Sequence, residues 1–235
     1  MRELVENVAR RYRSRAHRGF VAGKLKHDPV YAALMQERDL LEAGSVLDLG
    51  CGRGILLALL AEKARQSGSR VTLQGIEARP AHAAVAAEAL GADARIETAD
   101  VLAAALPRCE AACLIDVLHY LPAETHGPLL ARLAQALEPD GVLFVREIDR
   151  DAGVRGALAR FAERFNATLR GEPRYRFAFR SAQEWRALLE PAGFSVRSKR
   201  ADEGTPFANV LLVAYRAARN SRTRDRSPRA TSSNA

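Results

Sequence analysis

Five acid–base side chains stand at comparable places along the chain. Asp48, Glu77, Asp100, Asp116 and His119 each close or follow a short apolar run. The first is followed by Gly50-Cys51-Gly52-Arg53-Gly54, with three glycines at alternate positions. Glycine tolerates φ > 0 and lets a ligand approach bare backbone. A helix that starts behind such a turn offers unpaired N–H groups to that ligand. Asp48, two residues before Gly50, would repel a pyrophosphate and suits a ligand that carries an ammonium group. The spacing G-x-G-x-G also departs from the dinucleotide pattern G-x-G-x-x-G, because Ile55 stands where the third glycine would fall. The Gly-Lys-Ser/Thr ending of a phosphate loop is missing too. Glu77 lies 25 residues beyond Gly52, where a carboxylate can accept hydrogen bonds from both hydroxyls of a ribose. The plain alternative is an ordinary tight turn with solvated acids at the strand ends.

His119 is the sharpest catalytic candidate. A neutral imidazole there could take a proton from a phenol or a carboxylic acid. It could equally be a satisfied histidine that orients its own loop. Tyr12, His17, His27 and Tyr31 are weaker candidates. Cys51 reads as a small residue that fits the turn rather than a reactive thiol. No His/Cys/Asp cluster has the spacing of a metal site.

Hydrophobic patterning supplies the elements that position these groups. Short apolar runs predict strands over 45–49, 71–76, 94–98, 111–117, 142–148, 194–199 and 208–215. Helical periods predict helices over 55–65, 80–90, 125–137 and 181–190. Asp28-Pro29 reads as an N-cap with proline at N1, opening a helix to about residue 41. Pro139-Asp140-Gly141 reads as a turn. Strands that alternate with helices predict an α/β, doubly wound sheet, mostly parallel. The short loop before the last strand allows one antiparallel strand, giving seven in all. In such sheets ligands bind outside the C-terminal strand ends. Arg146, Glu147 and Asp149 lie at the end of the fifth strand and receive no assigned role.

Three regions fall outside this rhythm. Residues 1–42 predict an N-terminal helical lid, with Leu4, Val5, Val8 and Tyr12 at helical spacing. Residues 43–216 form the main domain, with a substrate-cap insertion at about 150–180. There Val154, Leu158, Phe161, Phe165 and Leu169 share one helical face, and Tyr175, Phe177 and Phe179 follow at period two. With Phe144 just before, these phenylalanines suggest an aromatic wall for a planar substrate, or simply core. Residues 217–235 predict a disordered basic tail.

The chain has 235 residues, 48% of them hydrophobic, which allows one domain with a sizeable core. No apolar run reaches the ~18 residues of a membrane span. Residues 1–4 hold no signal-peptide core. Three cysteines, Cys51, Cys109 and Cys113, fit a reducing cytoplasm. The net charge of +8 is concentrated at the ends. Residues 1–27 carry eight Lys/Arg against two Glu, and residues 216–235 six Arg against one Asp. The body between is mildly acidic. The basic ends would suit an acidic partner, or merely aid solubility.

Val46-Leu47-Asp48-Leu49-Gly50-Cys51-Gly52-Arg53-Gly54 resembles motif I of class I S-adenosylmethionine-dependent methyltransferases. S-adenosyl-L-methionine carries a sulfonium, an ammonium and no phosphate, in keeping with the charge of Asp48. The resemblance covers about residues 45–215. It implies cofactor contacts at Asp48, Gly50, Cys51, Gly52 and Gly54. It also implies Glu77 (in Gly75-Ile76-Glu77) on the ribose, and Asp100 with Val101 near the adenine. Asp116, in Leu114-Ile115-Asp116-Val117-Leu118-His119-Tyr120, resembles the segment that borders cofactor and substrate. The absence of Asn/Asp-Pro-Pro-Tyr/Phe disfavours amino methylation of adenine or glutamine, and the absence of Pro-Cys disfavours cytosine methylation. Gly23-Lys24-Leu25-Lys26-His27-Asp28-Pro29-Val30 and Glu203–Leu212 look like the flanks of methyltransferases from bacterial aryl-polyene pigment clusters. That implies a small phenolic substrate, with an acyl carrier protein as candidate carrier and nucleic acid disfavoured. An RNA methyltransferase and a non-catalytic cofactor-binding module remain the alternatives.

Overall fold

The computed structural model describes residues 2–158, 160–161, 177–206 and 208–216. Four helices precede the sheet: α1 (Arg2–Arg10), α2 (Arg15–His27), α3 (Pro29–Leu34) and α4 (Arg38–Leu41). The sheet strands are β1 (Ser45–Leu49), β2 (Thr72–Glu77), β3 (Ala94–Thr98), β4 (Cys109–Ile115), β5 (Leu137–Ile148), β6 (Phe194–Arg200) and β7 (Asn209–Arg216). Between them lie α5 (Ile55–Ser67), α6 (Pro80–Leu90), α7 (His126–Ala136) and α8 (Ala182–Leu189). The strand order is β3-β2-β1-β4-β5-β7-β6. β7 runs antiparallel to both of its neighbours, and the other pairings are parallel. This is the doubly wound, seven-stranded sheet expected.

Period-two alternation divides the core between the two faces. Val46, Cys113 and Phe144 pack with α1, α3 and α5. Leu47, Leu114, Leu143 and Val145 pack with α7 and α8. Phe144 therefore belongs to the core and not to an aromatic wall. Order reverses between β1 and β4, so the C-terminal ends of these two strands frame the crevice of the fold.

Some boundaries differ for physical reasons. The predicted N-cap holds, since the Asp28 side chain accepts from the Val30 N–H at 3.2 Å. The helix it opens stops at Leu34 instead of continuing to residue 41. Glu37 leaves helical geometry (φ −82°, ψ 104°), and its buried carboxylate pairs with Arg197 and Lys199 of β6. Pro139-Asp140-Gly141 is not a turn between elements but lies inside β5. Asp140 there has φ +64°, and the register shifts opposite it between Cys109 and Ala111. Proline is admitted in a strand at such a bulge. Val154, Leu158 and Phe161 are exposed rather than buried. Phe165, Leu169, Tyr175 and the 217–235 tail lie outside the described residues, as does most of the 150–180 insertion.

The helix after the glycine turn packs tightly. Gly54 has φ +75°, and a Cβ there would meet Leu90 Cδ1 at 2.9 Å and Ala86 Cβ at 3.0 Å. Gly54→Ala is expected to cost about 1–3 kcal/mol through strain and overpacking against α6. Urea denaturation measures this. Gly52→Ala, at φ +57° with no atom within 4 Å, is expected to cost only about 1 kcal/mol.

Candidate functional site

The turn after β1 is held by the strand beside it. Gly50 and Cys51 donate to the Ile76 carbonyl at 2.7 and 3.1 Å. Gly52 donates to Glu77 Oε2 at 2.8 Å, and Arg79 donates its backbone N–H to Oε1 at 2.9 Å. Glu77 is buried, so two backbone donors both orient its carboxylate and compensate its desolvation. Gly50 has φ +70°, and a Cβ there would lie 2.5 Å from Val117 Cγ2. The turn thus sits against the loop after β4 with no room for a side chain.

A cleft of about 270 Å³ opens over this turn. Gly50, Glu77, Ala78, Arg79, Asp100, Val101, Asp116, Val117, Tyr120 and Leu121 line it. Five nominated residues meet there: Gly50, Glu77, Asp100, Val101 and Asp116. Asp100 Oδ1 caps its own loop by accepting from the Leu102 N–H at 2.9 Å. Asp48 and Cys51 are buried at the base of the turn, and Gly54 serves helix packing. Three carboxylates in the lining set suit a ribose and a cationic ligand, and ill suit a pyrophosphate. The open space at Gly52 leaves room for close approach. The residues present therefore fit S-adenosyl-L-methionine.

A second cluster adjoins the cleft through Tyr120. His119 is buried, and its Nδ1 lies 2.6 Å from Glu147 Oε2. Glu147, fully buried in β5, also accepts from the Val117 and Leu118 N–H groups at 3.2 and 2.7 Å. His119 stacks on Phe179 with centroids 5.5 Å apart and lies 6.0 Å from Phe177. Tyr120 packs on His119 at 4.2 Å and meets Phe177 edge-on at 5.5 Å. Below them, buried His126 Nε2 donates to the Leu118 carbonyl at 2.8 Å, which supports the loop. Among the described residues, Tyr120, Phe177 and Phe179 form an aromatic cluster around His119.

Glu147 and Arg146 were not nominated from the sequence. Their signal was two charges closing the apolar run Val142–Val145, a position where a charge must be paired. Of the weaker candidates, Tyr12 is structural: it is buried and donates to the Arg53 carbonyl at 2.9 Å. His27 is exposed. Tyr31 is partly buried near Asp28, Asp48 and Asp116, and burial with these charges raises its pKa well above the usual phenol value. Arg11 pairs with Asp93 at 2.6 Å and Arg13 with Glu88 at 3.0 Å. Part of the basic N-terminal charge is thereby committed within the chain. Among the described residues no His/Cys/Asp/Glu group is placed to hold a metal, and no helix is long and apolar enough to cross a membrane.

Burial pushes the Asp48 carboxyl up to about 8, and the Glu77 charge adds to the shift. A carboxyl raised on folding contributes stability that is fully present below its unfolded value near 4 and is lost as pH rises through about 8. The ligand-free protein should therefore lose melting temperature across that window. Asp48→Asn should match wild type at the acid end and exceed it by pH 9. Parallel pH profiles in thermal denaturation would contradict this assignment.

The comparisons agree with this fold. A family model described as a methyltransferase domain matches residues 13–199. The carboxy-S-adenosyl-L-methionine synthase of Chromohalobacter salexigens is 32% identical over 119 residues, 48% of this chain and 43% of that protein. The chain thus matches less than half the length of that relative. The mitomycin 7-O-methyltransferase structure superposes with a TM-score of 0.65 at 25% identity, covering 85% of this chain and 56% of that one. An O-methyltransferase family protein from Burkholderia thailandensis gives 0.64 at 17% identity, covering 85% and 58%. The chain belongs to the methyltransferase domain family, and its cofactor is S-adenosyl-L-methionine.

Proposed function

We propose that the chain transfers a methyl group from S-adenosyl-L-methionine to a small aromatic, phenolic acceptor, as in secondary metabolism. The observation that carries this reading is the buried His119–Glu147 pair beside Tyr120, Phe177 and Phe179, next to the acid-lined cleft. In this reading Glu77 accepts the ribose hydroxyls, and Asp100 with Val101 borders the adenine. Asp48, Gly50, Cys51, Gly52 and Gly54 form the floor, and Asp116 stands between cofactor and acceptor. Residues 1–42 act as a lid over the cleft. When bound, the cofactor supplies a methyl group on a sulfonium that is its own leaving group.

The chain has three tasks left. It must align the acceptor oxygen with the methyl carbon, exclude water and remove a proton. Glu147 takes the Nδ1–H of His119, which puts the lone pair of the neutral ring on Nε2. A phenolic proton would move to that atom, and the buried carboxylate would stabilise the imidazolium formed. The aromatic wall suits a planar ring. Two arrangements of the acceptor fit, free or carried on an acyl carrier protein, whose acidic surface would meet the basic N-terminal helices. The pairing of Arg11 and Arg13 within the chain reduces the charge left for such docking. A second reading has one observation in its favour, the 32% identity to a synthase named for a modified cofactor. Mass spectrometry of the products separates a methylated acceptor from an altered cofactor.

Isothermal calorimetry should show the cofactor binding, with Glu77→Ala weaker by about 1–3 kcal/mol, the cost of orphaned buried hydrogen bonds. No binding by folded wild-type protein would end this reading. His119→Ala should slow methylation of a phenol by roughly 10²-fold or more, and the acidic limb of the pH–rate profile should vanish. Activity retained within about threefold at every pH would exclude His119 as the base.

A further inference from the structure

Arg146 is a cation on a central strand, between Val145 and Glu147 of β5. Its side chain is 7% exposed. A guanidinium this buried must be paired, and Arg146 takes two carboxylates from different parts of the fold. Nη1 donates to Asp116 Oδ2 on the cleft side. Nη2 lies 3.3 Å from Asp28 Oδ1, at the junction of α2 and α3.

Both partners are themselves tightly committed. Asp28 Oδ1 accepts from the Val30 N–H at 3.2 Å, which starts α3, and Oδ2 accepts from Lys24 Nζ at 2.9 Å. Asp116 has φ +59°, a conformation that costs a non-glycine residue energy and persists where the surroundings impose it. Its backbone N–H donates to the Arg146 carbonyl at 3.0 Å. One residue therefore holds Asp116 at its backbone and at its carboxylate, and the same guanidinium reaches the N-terminal helices.

This arrangement has a physical consequence. The two aspartates repel each other unless a cation stands between them, and the guanidinium divides its charge between the two. A positive ligand that draws on the Asp116 carboxylate leaves more of the guanidinium to Asp28. Filling the cleft would then tighten the hold on α2 and α3, and a closed α2–α3 would favour the arranged Asp116. We infer that Arg146 is a positioning residue that couples occupancy of the cofactor cleft to closure of the α2–α3 segment through Asp116 and Asp28. The inference rests on the reading of the cleft as the cofactor site.

Asp28→Asn is the informative variant, because asparagine caps a helix as well as aspartate does. The start of α3 is kept while the charge that faces Arg146 is lost. Arg146→Lys is the companion, since an ammonium keeps the charge but cannot span two carboxylates as a fork. Amide hydrogen exchange is followed on the full chain with and without S-adenosylhomocysteine, and calorimetry records binding of the same probe.

In wild type the probe should slow exchange at the 50–54 turn and across 15–34, the latter by about 5- to 150-fold, the usual span of coupling between two sites. In both variants the protection at 50–54 should remain and the protection across 15–34 should shrink to near none. With cofactor and acceptor present, both variants should raise the cofactor KM by more than they lower kcat. If the variants keep full ligand-dependent protection across 15–34, the ion pairs are a static clamp and the coupling is refuted. If wild type shows no calorimetric binding and no protection at 50–54, the cofactor reading itself fails, and this inference falls with it.

Discussion

A single buried carboxylate organises the glycine turn at the mouth of the crevice. Glu77 stands at the last position of β2 and accepts the Gly52 N–H at 2.8 Å from the turn after β1. The bond spans 25 residues and joins two neighbouring strands at their ends. It fixes the open face of the glycine turn and points the carboxylate toward the cleft. Without it the turn would keep its glycines but lose the acidic side chain that walls the cleft beside it. Parallel pairing of β1 with β2 sets the register that makes the bond possible, with Asp48 opposite Gly75 and Leu49 opposite Ile76.

The two faces of the sheet then divide the charges. Along β5, Arg146 and Glu147 point to opposite sides because successive side chains alternate. Arg146 meets acids from the N-terminal helices and from the loop after β4. Glu147 meets His119 and the N–H groups of that same loop. The segment 116–121 is thus gripped from both faces by two adjacent residues of one strand. Asp116, Val117, Tyr120 and Leu121 of this loop line the cleft, so the grip also fixes the shape of the cleft wall.

The sheet was legible because its strands are short apolar runs separated by clear helical periods. That Gly50, Glu77, Asp100 and Asp116 meet at one cleft was legible because the fold class says where strand ends converge, while Val101 came from the family resemblance alone. Arg146 and Glu147 were visible as charges at the end of an apolar strand, yet their partners lie 118 and 28 residues away. Pairings over such distances depend on tertiary packing that no local pattern encodes. The break between α3 and α4 was hidden for the same reason, as Glu37 answers to cations on β6. The aromatic neighbourhood leaves Phe144 open between wall and core in the sequence, and its alternation in β5 decides for the core. Pro139-Asp140-Gly141 reads locally as a turn, and only the partner strand β4 shows it to be a bulge.

The central claim is that this crevice reads a cation-bearing adenosine without a pyrophosphate. The most direct measurement is competitive equilibrium binding of S-adenosyl-L-methionine against a nicotinamide dinucleotide, using a fluorescent adenosine probe seated in the cleft. The account predicts that S-adenosyl-L-methionine displaces the probe and the dinucleotide does not, because Glu77, Asp100 and Asp116, which line the cleft, repel its phosphates. Displacement by the dinucleotide as effective as that by S-adenosyl-L-methionine would contradict it.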